Sequence, residues 1–452
     1  MSTPLFSARG GRRRRLLAPL GIAASSALLL AACSAPTLGG ADGDTGGDTG
    51  GDSGGTETLT IGYVTPQTGP LAAFGEADSF VLDQVRAYFD ENGVTDASGT
   101  SYDVEIVVKD TQSDPARAAD VAAELILEDG ADMILVSSTP ETTNPVSDQC
   151  EANGVVCIST VAPWQAWYFG RGATPEDGFD WTYHFFWGLG EIASVYSEMW
   201  AAVPDGGTVA QLLPNDADGN AWADPATGFG PVIEGGGLSP LNPGAYPNGQ
   251  ADFSAQITAY READANILMG IPIPPDFTTF WQQAIQQGYQ PQMATIAKAL
   301  LFPSSVEALG ADGENIATEV WWSPSHPFSS SLTEQSAEEL AADFEETTGQ
   351  QWTQPLGFAH ALFEVAVATI NASPSADAAD LRDTLAGLST ETVAGPVDFT
   401  SGPVANVSVT PLVGGQWRSN GEGGYDLIIV ANADNPSIPK GGEIELIDWT
   451  GR

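Results

Sequence analysis

From Thr58 onward, apolar positions follow two alternating periods. "LTIGYVT" (59–65), "YDVEIVVKD" (102–110), "ADMILVS" (131–137) and "VVCIST" (155–160) are short β-rich runs. Between them lie stretches of helical period. "EADSFVLDQVRAYFDENG" (76–93) puts Val81, Leu82, Val85, Tyr88 and Phe89 on one face and stops at Asn92-Gly93. "SDPARAADVAAELILEDG" (113–130) offers Asp114 as N-cap, Pro115 at the first helical position and Gly130 beyond the end. "ETTNPVSDQCEANG" (141–154) is a third helix. Strands alternating with helices over short connections predict a parallel sheet covered on both faces.

The order then repeats. "TVAQLLP" (208–214), "ANILMGI" (265–271) and "MATIA" (293–297) are strands, and "ADFSAQITAYREAD" (251–264) and "DFTTFWQQAIQQG" (276–288) are helices. This predicts a second α/β lobe. The last third differs: three helical segments between about Thr333 and Leu388, then the strands "ANVSVTPLVGGQW" (405–417) and "YDLIIVAN" (425–432), read as antiparallel.

The N-terminus follows neither period. "RGGRRRRLLAPL" (9–20) is basic, with no acid before Asp42, and the apolar run 16–32 contains Pro19 and Gly21. That is the layout of an export signal, too short and impure for a permanent span of about 20 apolar residues. "RRRRLL" leaves both the general and the twin-arginine routes open. Leu30-Ala31-Ala32-Cys33 resembles a bacterial lipobox, which implies diacylglycerol on the Cys33 thiol and a cut before it. Residues 34–56 are mostly Gly, Asp, Thr and Ser, unable to bury a core, and read as a disordered tether.

Charge narrows the partners. Without the five arginines of residues 1–33, ten basic side chains face 59 acidic ones, a net charge of −49. That argues against nucleic acid. Cys150 and Cys157, a lone pair in an oxidising exterior, are expected to form a disulfide.

The ordered series "IGYVTPQTGPLAAFGEAD", "VKDTQSDPARAADVAAELILEDGADMILVSSTPETTNPVSDQCEANGVVCIST", "ADFSAQIT", "QQGYQPQMATIAKALLFPSSVEALG" and "VAGPVDFTSG" resembles the type I periplasmic solute-binding proteins of ABC importers, above all the branched-chain amino-acid (Leu/Ile/Val) binders. The resemblance implies two doubly wound α/β lobes joined by a three-crossing hinge. Residues 57–184 would form lobe I and 185–324 lobe II. Helices in 325–393 would return to lobe I, and the tail 394–452 would belong to lobe II. It also implies capture of a small solute by closure, with delivery to permease and ATPase subunits. The chain would be a monomer outside the cytoplasm, tethered to the membrane by lipid.

No nucleophile, metal or phosphate motif argues for catalysis, and no metal or other cofactor is expected. Only three histidines occur, without H-E-x-x-H spacing. "NDADGNAWAD" (215–224) fails as a calcium loop, with Pro214 and Pro225 at essential ligand places. A sensing receptor of the same fold is the alternative function, and an extracellular hydrolase a minor one.

Ligands of parallel α/β sheets sit at the strands' carboxyl ends. By the resemblance, the candidate contacts in lobe I are Phe74, Ser138, Thr139, Ala162 and Trp164. In lobe II they are Trp187, Ile273 and Lys298, and near the hinge Trp322, one of the pair Trp321-Trp322 that alternation sends to opposite sides. Lys298 stands at or beside the place where the amino-acid binders carry an acid for the ligand's ammonium. The expected ligand therefore bears an acid or carbonyl and an apolar or aromatic body, with no need for an α-ammonium. The other reading is an ordinary amino acid whose ammonium meets Glu191 or an acid not yet placed.

Overall fold

The computed structural model describes residues 57–204 and 206–450; the proposed lipidation site Cys33 and the tether 34–56 lie outside them. The first series runs β1 (Glu57–Thr65), α1 (Asp78–Asn92), β2 (Val94–Thr95), β3 (Ser101–Asp110), α2 (Pro115–Leu127) and β4 (Met133–Ser137). It continues with α3 (Pro140–Asn153), β5 (Val156–Thr160), α4 (Trp164–Tyr168) and β6 (Thr182–Phe185). Asp114 caps α2 as its sequence demands, accepting the Arg117 amide at 2.8 Å. β4 and β5 are buried at every position, which is why they read as unbroken apolar runs.

The second series is α5 (Leu189–Trp200), β7 (Thr208–Leu212), α6 (Ala217–Ala223), α7 (Phe229–Gly235), β8 (Ser239–Leu241) and α8 (Ser254–Glu262). β9 (Ile267–Gly270), α9 (Pro274–Gln286), β10 (Met293–Ile296), α10 (Pro303–Glu307) and β11 (Ala317–Val320) complete it. Then come α11 (Ala337–Thr348), α12 (Pro355–Ala372) and α13 (Ala378–Ala386). The chain finishes with β12 (Ser389–Thr392), β13 (Gly395–Asp398), β14 (Val407–Ser408), β15 (Val413–Ser419) and β16 (Tyr425–Ala431).

Two seven-stranded sheets result, ordered β14-β6-β5-β4-β1-β3-β2 and β16-β15-β11-β10-β9-β7-β8. Both are mostly parallel, with antiparallel pairing at β2–β3 in the first and among β11, β15 and β16 in the second. The chain passes between the sheets three times: after β6, after β11, and between β14 and β15. α12 is apolar on nearly all sides and packs on β4 and β5 of the first sheet.

The structure corrects two expectations. The tail does not pass to lobe II at residue 394. β14 pairs in parallel with β6, Val407 opposite His184, so the crossing comes only at Val413. The disulfide is also absent: Cys150 and Cys157 are both free. They pack with Val64, Val121 and Val146 in an apolar layer behind the first sheet. Burial pushes the Cys150 thiol well above its ordinary pKa, which withholds the thiolate that oxidation needs.

Candidate ligand-binding site

The carboxyl ends of the two sheets' strands enclose a cavity with about 290 Å³ of atom-free space, part of it open to solvent. Each strand-end loop contributes. Phe74 follows β1, Thr139 follows β4, Val161 and Pro163 follow β5, and Phe186 and Trp187 follow β6. From the other lobe come Asp218 after β7, Ile271 after β9, and Lys298 and Leu301 after β10, while Glu319 and Trp321 stand at the end of β11.

Of the residues expected from sequence, Phe74, Thr139, Trp187 and Lys298 line this cavity. The others stand elsewhere. Ser138 is buried beneath the loop, where its hydroxyl accepts from Thr142 at 2.7 Å. Ala162 turns its carbonyl to the His184 imidazole at 2.7 Å. Trp164 opens the short helix α4 and borders a separate surface groove with Phe169, Leu189 and Ala221. Ile273 is the buried residue before α9. Alternation at the hinge resolves opposite to expectation. Trp321 faces the cavity, while Trp322 points away, beside Gly357 of α12, and its indole donates to the Val393 carbonyl at 3.1 Å. Glu191 caps α5, accepting the Gly188 amide at 2.9 Å.

The walls are aromatic and aliphatic, and the polar groups divide into two sets. In the first, protein groups are already paired. Lys298 is 4% exposed, and its ammonium donates to Asp218 at 2.7 Å and Glu141 at 3.4 Å, with Asp216 at 3.6 Å. Burial works against that charge, yet the three carboxylates hold its pKa well above the ordinary lysine value. Lys298 therefore serves protein acids rather than standing free for a ligand acid. Glu319 accepts the Lys298 amide at 3.2 Å, the Tyr196 hydroxyl at 3.1 Å and the Thr318 hydroxyl at 2.9 Å. Burial raises Glu319 to about 7, and Asp218 likewise to about 7.

The second set has no partner in the protein: the Thr139 hydroxyl, the Trp187 and Trp321 indole N–H groups, and Asp218 Oδ1. A buried donor left unmade costs about 1–3 kcal/mol. Three donors and one acceptor in an apolar chamber thus describe a ligand's outline.

The family profile described as "Periplasmic binding protein" matches residues 58–422. The chain belongs to the periplasmic binding protein family. Its members are binding proteins, not enzymes. Among curated relatives, "Leu/Ile/Val-binding protein homolog 3" of Brucella melitensis biotype 1 is 25% identical over 267 residues, 58% of this chain and 63% of that protein. Solved structures share the fold. A leucine-binding protein, LivK, of Thermotoga maritima is 15% identical with a TM-score of 0.67, over 84% of this chain and 100% of that one. LivJ of Streptococcus pneumoniae, in complex with isoleucine, is 17% identical with a TM-score of 0.64, over 83% and 100%. A solute-binding protein of an ABC transporter from Rhodopseudomonas palustris, in complex with 3,4-dihydroxybenzoic acid, is 18% identical with a TM-score of 0.65, over 83% and 96%.

The sequence signal for the missed acids existed. β11 is buried throughout, and a glutamate in such a strand must serve a partner or a ligand. Asp218 lay in the segment 215–224, weighed above only as a failed calcium loop. The backbone carries a further mark: Val161 and Lys298, both lining the cavity, have φ of 67° and 64°. Side chains other than glycine hold the left-handed region at a cost, and such residues gather at binding sites.

Proposed function

We propose that the protein is the extracytoplasmic solute-binding subunit of an ABC importer. It is anchored by lipid at Cys33, acts as a monomer, and closes two lobes over a small organic solute before docking on its permease. The solute carries a carboxylate or carbonyl and an apolar or aromatic body, with no required α-ammonium. The observation that carries this is the set of unpartnered donors, Thr139, Trp187 and Trp321, within apolar walls. Lys298 supports it from the other side, because the protein's own ammonium already occupies Asp218 and Glu141. The relatives' ligands, an amino acid in one and a dihydroxybenzoate in another, span the same chemistry.

Asp218 Oδ1 favours a second reading, an amino acid whose ammonium meets that oxygen. Calorimetry with matched pairs separates the two: isoleucine against 3-methylpentanoate, and phenylalanine against 3-phenylpropionate. The des-amino acids are expected to bind at least as tightly. A tenfold or greater preference for the α-amino acids, about 1.4 kcal/mol, would install the second reading. Binding of no amino, aliphatic or aromatic acid would remove both.

A further inference from the structure

Lys298 sits on lobe II, in the loop after β10, with its backbone fixed by the Glu319 carboxylate. Two of its acid partners, Asp216 and Asp218, belong to the same lobe, at the start of α6. The third, Glu141, belongs to lobe I, in the first turn of α3. One buried ammonium thus bonds carboxylates of both lobes across the cleft. A second contact crosses nearby: the Phe74 ring of lobe I meets Phe302 of lobe II edge-on, at 5.0 Å between centroids.

Both contacts join the chain's own groups. Separating the lobes would leave Lys298 its partners on α6 but strip Glu141 of its cation. Of the three bonds of the Lys298 ammonium, only the one to Glu141 therefore distinguishes closed from open. A contact shifts an equilibrium by the difference it makes between the two states.

We infer that Lys298 and Glu141 form an interlobe latch, in which the lobe II ammonium draws the start of α3 onto the cleft and biases the protein toward closure without help from solute. Asp216 and Asp218 hold the ammonium on lobe II and keep it charged at its buried position. The latch rests on the solute-binding reading only for its consequence, a higher solute affinity, since pre-closure reduces the work left to the ligand. Closure itself is measured without solute.

The test is the distance distribution between nitroxide labels on the two lobes of full-length, solute-free protein, at Asp120→Cys in α2 and Ala255→Cys in α8. Glu141→Gln keeps the shape of the side chain and removes its charge at a partly exposed rim, so folding is expected to survive. It should move the open-to-closed ratio about tenfold toward open, within the range of single couplings. Asp216→Asn, which alters the same cluster within lobe II alone, should leave the ratio unchanged or move it toward closed. Lys298→Met should open the cleft, but it also leaves lobe II acids uncompensated, so Glu141→Gln is decisive. Identical distributions for wild type and Glu141→Gln, or an equal opening by Asp216→Asn, overturn the latch. If the distributions move as expected while no solute binds, the latch stands and the transport reading fails.

Discussion

Glu319 shows how one side chain couples the site to pH. It is wholly buried, and its carboxyl is raised from the ordinary 4.5 to about 7. The folded protein therefore holds a proton there that the unfolded chain releases. The stability this brings is complete below about pH 4.5 and is lost as the pH rises through 7. Glu319→Gln should remove that loss. In urea titrations at pH 5 and pH 8, wild type should fall relative to the variant by up to about 3 kcal/mol. A constant difference between the two would mean that Glu319 is charged throughout. At this scale the sequence was only partly readable. Phe74, Thr139, Trp187 and Lys298 could be placed because strand-end loops are local features. Trp321 and Trp322 could not be told apart, since strand alternation gives opposite faces without saying which face meets the cleft. Lys298 lies on the cavity wall, but its three carboxylates come from α3 and the start of α6, and no local pattern announces such a meeting.

Helices and strands were more legible, because each is written in a short period. α2 begins at the capped proline that its sequence supplies. α11 begins later than its segment suggested, at Ala337, where Ser336 and Glu339 form a reciprocal cap. β14 was the least legible element, two residues long and parallel to a strand more than 220 positions earlier. One helix carries a packing requirement that composition hides. A side chain at Gly357 of α12 would overlap the Trp322 indole, which is completely buried. Gly357→Ala should therefore destabilise the protein by about 1–3 kcal/mol, although alanine is the better helix former. Thermal unfolding of this variant beside an alanine at Gly190, where the same test meets open space, would check it. Equal melting temperatures would refute the packing argument.

For the whole molecule, the two βα series already pointed to two α/β lobes and the ordered motifs resembled a solute-binding protein, while the free thiols of Cys150 and Cys157 departed from what an exported chain suggests. Anchoring is tested at the same scale. Cys33→Ser should move the protein from the membrane to the soluble fraction, and intact mass should show acyl chains only on the wild type. Soluble, unacylated wild type would end the lipoprotein reading. The three passages between sheets also govern how the chain can be made. The first sheet waits for β14 at residue 407 and for α12 to cover β4 and β5; the second waits for β15 and β16. During synthesis, neither lobe can complete its core until about nine-tenths of the polypeptide has left the ribosome, so the two must mature together, slowly, as pairings of long sequence separation do. The nascent chain spends most of its elongation with unfinished sheet edges, and a ribosome that stalls before residue 400 releases two incomplete lobes rather than one finished domain and one fragment.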